Sequence, residues 1–420
     1  FSEASLIGKA RRDPERLRQV LNKARADGII PAWTAVQGKL NESIPMGYCN
    51  LGRVVEVGSS VEGFGIGDRV VSNGPHAQYV QVSSNLAARV PECVSRDDSV
   101  FTVVASVAVN AIRLSQPEIG AVYAVVGMGL LGFLTALILR ANGCEVLAIE
   151  PDATRRKLAR ELGFEVCDSA TEEIENFVLA RTSSRGCDAV MVTASGKSSE
   201  PARLGARICR QQGCLVLVGE PTPEFSRREL YDRELTVKIA RSYGPGRYDQ
   251  EYERGLDYPV SHVRWTAKRN FEAVLNLMKC GLFSPQRLIT HRFDFRHAKQ
   301  GYETLKSGAD HLGIVLSYAE GGDHVDAEVP SPSIIQDMGR RKAGREPVLG
   351  VIGAGNHARR TLLPALRKLN AKLRCIVSST GLSAAQAVTK FDIEYSATNV
   401  ARLLEDEAID AIVIATRHDT

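Results

Sequence analysis

Two glycine-rich turns are the residues best placed to do chemistry in this sequence. One follows the apolar run 121–126, the other follows the apolar run 347–352, and each opens into a helical pattern. In a strand–turn–helix unit the glycines let the backbone approach a pyrophosphate, and the helix N-terminus supplies unpaired N–H groups. Two such turns predict two nucleotide-binding units. The first turn comprises Gly127, Met128, Gly129, Leu130, Leu131 and Gly132.

Glu150 ends the strand after the first turn and predicts NAD as the cofactor of the first site. A carboxylate there accepts hydrogen bonds from the ribose hydroxyls and repels the 2′-phosphate of NADP. Arg155 is close enough in sequence to weaken that preference. Later strands end at the edge where nicotinamide is expected, so three further residues are predicted to contact the cofactor: Thr193, Gly219 and Ser242.

The second turn has the relaxed form G-x-G-x-x-A, with Gly353, Gly355 and Ala358. Asn356 and His357 lie within it and are predicted cofactor contacts. Ser378 follows the next strand, where no carboxylate is present, and its hydroxyl would tolerate a 2′-phosphate. Either NAD or NADP is therefore expected at this second site.

The elements that must position these residues alternate between strand and helix. Apolar strands at 121–126, 146–149, 164–167, 189–193, 215–218 and 235–239 are separated by helical patterns at 130–141, 154–162, 172–181 and 201–211. This order predicts an α/β protein with a doubly wound parallel sheet. Short β-like runs at 53–58, 67–71 and 77–82 predict a small antiparallel, barrel-like domain before it.

The same patterns divide the sequence into four parts. The barrel-like domain takes 1–115, beginning with a helical segment, and 285–318; the Rossmann domain takes 116–284; the polar segment 319–346 is a linker; and 347–420 is a partial second Rossmann domain. Three strands are expected in the last part, at 348–352, 373–377 and 411–415, against about six in a full nucleotide sheet. We therefore expect the sequence to be part of a longer chain.

Composition excludes several classes of protein. Of the 420 residues 44% are hydrophobic and 24% are charged, as in a soluble globular protein. No apolar run reaches the length of about 18 residues that a membrane span needs. The net charge of +4 is small for this length and predicts no nucleic-acid partner. The nine dispersed cysteines predict reduced thiols and a cytoplasmic location.

The motifs together resemble two known families. Gly-Asp-Arg-Val at 67–70, the first glycine turn and the return segment 288–316 resemble the medium-chain dehydrogenase/reductase superfamily, with its GroES-like catalytic domain, over about 1–318. Gly-Ala-Gly-Asn-His-Ala at 353–358 and Ile-Val-Ile-Ala-Thr-Arg-His-Asp at 412–419 resemble the start of a Gfo/Idh/MocA (glucose–fructose oxidoreductase-like) domain. Their order is similar to that in bidomain oxidoreductases linked with bacterial sugar and polysaccharide metabolism.

The sequence departs from that superfamily where its zinc ligands lie. The superfamily's Gly-His-Glu is replaced by Gly47-Tyr48-Cys49, and the structural zinc lobe with four cysteines is absent. One cysteine cannot supply the three or four ligands of a zinc site. The expectation is therefore a module without any metal.

Without zinc, another group must exchange the hydroxyl proton during hydride transfer. Tyr48 stands at the vacated position, although it could equally be a packing residue. Arg247 and Tyr248 follow the last strand of the first nucleotide fold, in a segment that could instead be structural or lie at an interface. These three are the candidate catalytic residues.

The resulting prediction is an NAD-dependent, zinc-independent oxidoreductase that acts on CH–OH groups. Its expected substrate is a sugar, nucleotide sugar or sugar-derived carbinol, in saccharide or polysaccharide biosynthesis, and a homo-oligomer is possible. Two alternatives remain open. One is a redox-silent nucleotide-binding scaffold or sensor; the other is an NADPH-dependent reductase of quinones or enones.

Overall fold

The computed structural model describes residues 45–168, 173–308, 310–318, 348–379 and 381–416. Three parts of the sequence predictions lie outside the described residues: the helical segment within 1–40, the linker 319–346 and the last residues, 417–419, of the motif at 412–419. The chain divides into one unit at Met46–Gly322 and another that contains the second glycine turn. Each unit is described by itself.

The first unit begins with an antiparallel sheet of three short strands in the order β1–β2–β3. The predicted strand at 53–58 is wrong beyond Arg53, because the turn at 65–68 ends the partner strand. In that turn Asp68 accepts a hydrogen bond from the Gly65 N–H (2.7 Å). The predicted strand at 77–82 is also wrong, since this stretch has no paired neighbour. The strands are β1 (Asn50–Arg53), β2 (Arg69–Ser72) and β3 (Ala87–Arg89).

A six-stranded parallel sheet forms the centre of the first unit and confirms the predicted doubly wound α/β fold. Its strand order is β6–β5–β4–β7–β8–β9, so the chain reverses direction across the sheet between β4 and β7. The strands are β4 (Val122–Val126), β5 (Glu145–Ile149), β6 (Glu165–Cys167), β7 (Cys187–Val192), β8 (Cys209–Val218) and β9 (Thr236–Ala240).

Helices cover this sheet because its central strands are apolar on both faces. Four of the five residues of β4 are buried, and α3 between β4 and β5 has eight buried residues. Side chains of Asp152 and Ser226 cap two of the helices. The helices up to β9 are α1 (Arg96–Ser99), α2 (Thr102–Ser115), α3 (Leu130–Ala141), α4 (Ala153–Glu161), α5 (Ile174–Arg181), α6 (Glu200–Ile208) and α7 (Arg227–Tyr231).

The rest of the first unit packs back on the same core. The stretch 243–265 contains a helical turn that Asp249 caps. Phe271 is fully buried and belongs to the same hydrophobic cluster as residues of α2 and α3. The elements are α8 (Gln250–Glu253), α9 (Ala267–Lys279), β10 (Ile289–Asp294), α10 (Ala298–Lys306) and β11 (Gly313–Ser317), the two strands being parallel.

The second unit contains a four-stranded parallel sheet in the order β14–β13–β12–β15. The expectation of three strands missed β14, which has only three residues. The helix after β12 begins as a π-helix at Ala358–Leu362, next to Pro364, whose missing N–H cannot continue the α-helical pattern. The elements are β12 (Val348–Ile352), α11 (Leu363–Lys368), β13 (Lys372–Val377), α12 (Leu382–Phe391), β14 (Tyr395–Ala397), α13 (Val400–Leu404) and β15 (Ala411–Ile414).

None of the helices in the described ranges is both long enough and apolar enough to cross a membrane.

Truncating Phe133 should destabilise the first unit, because its ring is fully buried between α3 and the sheet. We expect Phe133→Ala to lower the free energy of unfolding by about 3–5 kcal/mol. Urea titration followed by circular dichroism measures this loss. Leu179→Ala, at a position that is 39% exposed, is the control. Equal losses in the two variants would contradict the placement of Phe133 in the core.

Candidate active site

The first glycine turn has a backbone that only glycine accommodates. Gly127 has a φ of +95°, and a Cβ there would lie 2.8 Å from the backbone nitrogen of Ala194. At Gly132 a Cβ would lie 2.0 Å from the carbonyl oxygen of Gly127. The Thr193 hydroxyl donates a hydrogen bond to that same oxygen (2.6 Å). The end of β7 therefore holds the turn in place, and α3 begins directly against it.

The N-terminus of α3 is left open for a ligand. Gly129 precedes the helix without any side-chain cap, and the first N–H bonded back into the helix is that of Phe133, to Gly129 (3.0 Å). The N–H groups of Leu130, Leu131 and Gly132 precede it in the first turn, where helices lack internal acceptors. Unpaired N–H groups and the helix dipole suit a pyrophosphate. The residues present therefore fit an NAD(P) dinucleotide.

Glu150 joins the turn to the end of β5. Its carboxylate is only 3% exposed and accepts hydrogen bonds from the N–H of Met128 (2.6 Å) and the N–H of Asp152 (2.9 Å). The residue was expected to face the ribose; in the structure each of its oxygens already has a backbone donor. A carboxylate oxygen can accept a second hydrogen bond. Glu150 therefore shapes the turn as well as lying beside the expected ribose position.

The two arginines after Glu150 differ in their partners. The backbone N–H of Arg155 donates to Asp152 (2.9 Å), while its side-chain Nε is buried without a hydrogen-bond partner. Arg156 donates to the Glu150 carbonyl (3.1 Å) and forms an ion pair with Asp168 (2.9 Å). Of the two, Arg155 keeps donor capacity near the adenosine end of the expected site.

The other residues predicted at the cofactor follow parallel strands at the same edge of the sheet. Thr193 follows β7, Gly219 follows β8 with a φ of +84°, and Ser242 lies two residues beyond β9 with a φ of +55°. The Ser242 carbonyl accepts a hydrogen bond from the side chain of Asn110 (3.2 Å). Because the carboxyl ends of parallel strands meet at one edge, these residues share the edge that carries Gly127.

Two of the three candidate catalytic residues influence each other electrostatically. Desolvation raises the pKa of Tyr48, and the neighbouring Cys49 and Tyr248 raise it further. Tyr48, just before β1, and Tyr248, in the segment after β9, thus lie within the range of electrostatic interaction. At neutral pH a phenol with a raised pKa is protonated and can donate a hydrogen bond.

Tyr248 is held in a strained conformation. Its φ is +72°, which is an outlier for a bulky side chain. The backbone N–H of Tyr248 donates to Glu253 Oε1 (2.9 Å), and Arg247 forms an ion pair with the same oxygen. The exposed ring of Tyr248 contacts two guanidinium groups, those of Arg241 at 4.6 Å and Arg247 at 4.3 Å. Strain of this kind concentrates at functional sites.

Sequence reasoning missed Tyr243, whose side chain is buried beside these residues. Burial raises the pKa of its phenol, while Arg247 and a hydrogen bond with Asn73 oppose that increase. It also missed His76, whose Nδ1 lies 2.6 Å from the hydroxyl of Tyr302 and whose ring packs against Gly47. Both lie near Tyr48 or Arg247 only through the fold, so the sequence carried no signal for them.

Among the described residues, no group of side chains is arranged as a metal site. Cys49 donates its thiol hydrogen to the Val100 carbonyl (2.7 Å), and burial raises the pKa of this thiol to about 11. Within the described ranges no three histidine, cysteine or acidic side chains form a group that could hold a metal. We therefore derive no step through zinc.

The second glycine turn repeats part of the first. Gly353 has a φ of +103°, and a Cβ there would lie 2.7 Å from the Ala415 carbonyl oxygen. Gly355, Asn356 and His357 are exposed after β12. The hydroxyl of Ser378 lies 2.8 Å from that of Ser383. Ser378 thus lies between β13 and α12, as expected from the sequence.

Family models match parts of both units. One described as zinc-binding dehydrogenase matches residues 131–257, and one described as an oxidoreductase family with an NAD-binding Rossmann fold matches residues 348–420. The (R,R)-butanediol dehydrogenase of Bacillus subtilis is 27% identical over 283 residues, which cover 60% of this chain and 75% of that protein. The sorbitol dehydrogenase of Halalkalibacterium halodurans is 22% identical over 302 residues, which cover 63% of this chain and 81% of that protein.

The chain is an NAD(P)-dependent oxidoreductase. It combines a medium-chain dehydrogenase fold with a Gfo/Idh/MocA-type Rossmann domain. The solved structure of 2R,3R-butanediol dehydrogenase from Bacillus subtilis superposes with a TM-score of 0.52 at 25% identity, covering 66% of this chain and 82% of that one. The alcohol dehydrogenase TADH from Thermus sp. ATN1 shares the fold, with a TM-score of 0.55 at 20% identity. The superposition covers 65% of this chain and 84% of that one.

These similarities correct the cofactor prediction. The prediction was NAD at the first site, NAD or NADP at the second site, and no zinc. The absence of zinc is contradicted, because the matching family model is that of zinc-binding dehydrogenases. The comparisons support NAD(P) without choosing between NAD and NADP. The replacement of Gly-His-Glu by Gly47-Tyr48-Cys49 and the missing four-cysteine lobe were therefore not enough to exclude zinc.

Replacing the Glu150 carboxylate by an amide should loosen the first turn. In Glu150→Gln a side-chain NH₂ would face one of two backbone donors, and an unsatisfied buried donor costs about 1–3 kcal/mol. Urea denaturation measures this loss, and equilibrium titration with NADH should show weaker binding. Glu145→Gln, at an exposed position of the same strand, is the control. A Glu150→Gln protein as stable as that control would contradict the anchoring role.

Proposed function

We propose that the first unit transfers a hydride between NAD(P) and a carbinol or carbonyl of a sugar or polyol. The observation that supports this best is the glycine turn before α3, whose geometry fits a dinucleotide in the unit that also carries Tyr48 and Tyr248. The butanediol and sorbitol dehydrogenase relatives act on vicinal diols or polyols by their names. A role in saccharide or polysaccharide biosynthesis stays a prediction.

In this proposal the cofactor lies along the carboxyl edge of the first sheet. Its pyrophosphate rests on residues 127–132, its adenosine ribose lies near Glu150 and Arg155, and its nicotinamide lies near Thr193, Gly219 and Ser242. We also propose the corresponding nucleotide site of the second unit, at Gly353, Gly355, Asn356, His357 and Ser378. The domain boundaries inferred from the sequence, 1–115 with 285–318, 116–284, 319–346 and 347–420, are part of the same proposal.

Tyr48 and Tyr248 would handle the proton at the reacting oxygen. Bound NAD(P) supplies the hydride acceptor or donor. A protonated phenol donates a hydrogen bond to a carbonyl oxygen and can pass its proton to the alkoxide that develops during reduction. Arg247 would orient Tyr248 through their shared partner Glu253. Its guanidinium carbon also lies 4.3 Å from the centre of the Tyr248 ring.

Two alternatives give different results in one assay. In one arm the purified protein is mixed with NAD⁺ or NADP⁺ and with sorbitol, xylitol or butane-2,3-diol. In the other arm it is mixed with NADPH and a quinone or enone. The absorbance of reduced nicotinamide is followed in both arms. We expect turnover with at least one polyol. Reduction of quinones or enones by NADPH, without polyol turnover, would contradict the proposal in favour of a quinone reductase. Dinucleotide binding without turnover of either class would instead favour a scaffold.

Removing either phenolic hydroxyl should impair catalysis more than binding. We expect Tyr48→Phe and Tyr248→Phe to lower kcat by about 10²-fold or more, the range of general acid–base catalysis, with little change in KM. Steady-state kinetics on the best polyol measures both constants. Tyr231→Phe is a matched control, since that exposed tyrosine also stacks on an arginine, Arg227, at 4.5 Å. A kcat unchanged in both active-site variants would contradict these roles.

A further inference from the structure

Beside the candidate catalytic residues, arginine side chains alternate with aromatic rings. We name this the arginine–aromatic surface; it consists of Arg113, Arg241, Arg264, Tyr248 and Trp265. All five lie in the first unit, at the end of α2, after β9 and just before α9. Its cations lack the acidic partners that most other arginines of this unit have.

Trp265 contacts two guanidinium groups. The Arg113 guanidinium carbon lies 3.3 Å from the centre of the indole, and that of Arg264 lies 3.9 Å from it. Arg113 is partly buried, and its Nε donates to Asn270 (3.0 Å). Neither arginine forms an ion pair with any described residue. Burial, and then the neighbouring Arg264 charge, lower the pKa of Arg113 to about 10.

Tyr248 also contacts two arginines, which differ in their counter-charges. Arg247 is neutralised by the carboxylate of Glu253. Arg241 is exposed, contacts the ring at 4.6 Å and has no acidic partner in the part of the chain that the structure describes. One charge beside the catalytic candidates is therefore satisfied internally, whereas the other is available to a ligand.

Hydrogen bonds through two asparagines connect the rings to one backbone segment. Asn270, which accepts from Arg113, donates to the Tyr243 carbonyl (2.9 Å). Asn110, one turn before Arg113 on α2, donates to the carbonyls of Arg241 (3.3 Å) and Ser242 (3.2 Å). The unpaired cations thus belong to one continuous part of the first unit, next to the segment that carries Tyr248.

We propose that the arginine–aromatic surface binds an anionic group, a phosphate or a carboxylate, carried by the sugar substrate. This proposal rests on the proposed function and narrows its substrate class to sugars that carry an anionic group. Guanidinium groups bind such oxyanions through paired, charge-assisted hydrogen bonds. Stacking on the aromatic rings fixes the planes of the guanidinium groups. A bound anion would also relieve the repulsion between the charges of Arg113 and Arg264. Neutral polyols would lack this interaction.

Direct binding tests the surface separately from turnover. Isothermal titration of the full chain compares D-sorbitol 6-phosphate, D-gluconate and neutral D-sorbitol. We expect one anion to bind at least about tenfold more tightly than sorbitol, as one charge-assisted hydrogen bond would give, and to weaken as salt is raised. The two anions distinguish a phosphate from a carboxylate preference. Equal affinity for all three compounds would overturn the proposal.

Variants locate the anion site. We expect Arg241→Gln and Arg264→Gln each to weaken binding of the preferred anion about tenfold or more. Arg227→Gln is the matched control, because Arg227 also stacks on a tyrosine without an ion pair, in α7. Anion binding that survives both variants, or that Arg227→Gln weakens equally, would overturn the proposal. If anions bind as expected but no sugar is turned over, the proposed function fails while the anion site stands.

Discussion

The buried carboxylate of Glu150 is the constraint on which the nucleotide site depends. It accepts one hydrogen bond from the glycine turn, at Met128, and one from the backbone after β5, at Asp152. The bond to the buried Met128 satisfies a backbone donor that would otherwise have no partner, and such donors are costly. The two bonds hold β4, β5 and the start of α3 in one arrangement. Without them the N–H groups of α3 would lose the position that suits a pyrophosphate.

The catalytic candidates depend on contacts between distant parts of the chain. Tyr48 lies before β1, and Tyr248 lies after the last strand of the parallel sheet. Glu253 fixes both the backbone of Tyr248 and the guanidinium of Arg247. Its carboxylate stabilises a backbone conformation that a tyrosine rarely adopts. The strain is therefore located where the exposed ring meets two arginines.

Local patterns made much of the fold predictable. The helix 130–141 follows from an apolar run after a glycine turn, and the structure has α3 at Leu130–Ala141. The run at 77–82 shows the limit, because alternating side chains cannot supply a neighbouring strand. Likewise, β14 was missed since three residues carry little pattern, and pairing with Cys375–Val377 creates the strand.

Less of the site was predictable than of the fold. The glycines of both turns were identified because their spacing is local. The proximity of Tyr48 to Tyr248, and the burial of Tyr243 beside Arg247, arise only when the sheet and its following segment fold together. The zinc expectation was wrong for a related reason: it rested on the absence of local ligand motifs, whereas the family model matches a pattern spread over residues 131–257.

The central claim is that the first turn of α3 binds the dinucleotide. Hydrogen–deuterium exchange of the wild-type protein, with and without NADH or NADPH, tests it directly. The N–H groups of Leu130, Leu131 and Gly132 lie in the first helical turn, so they should exchange quickly in the free protein. The account predicts that a dinucleotide slows their exchange strongly. Saturating dinucleotide that leaves exchange at these three positions unchanged would contradict it.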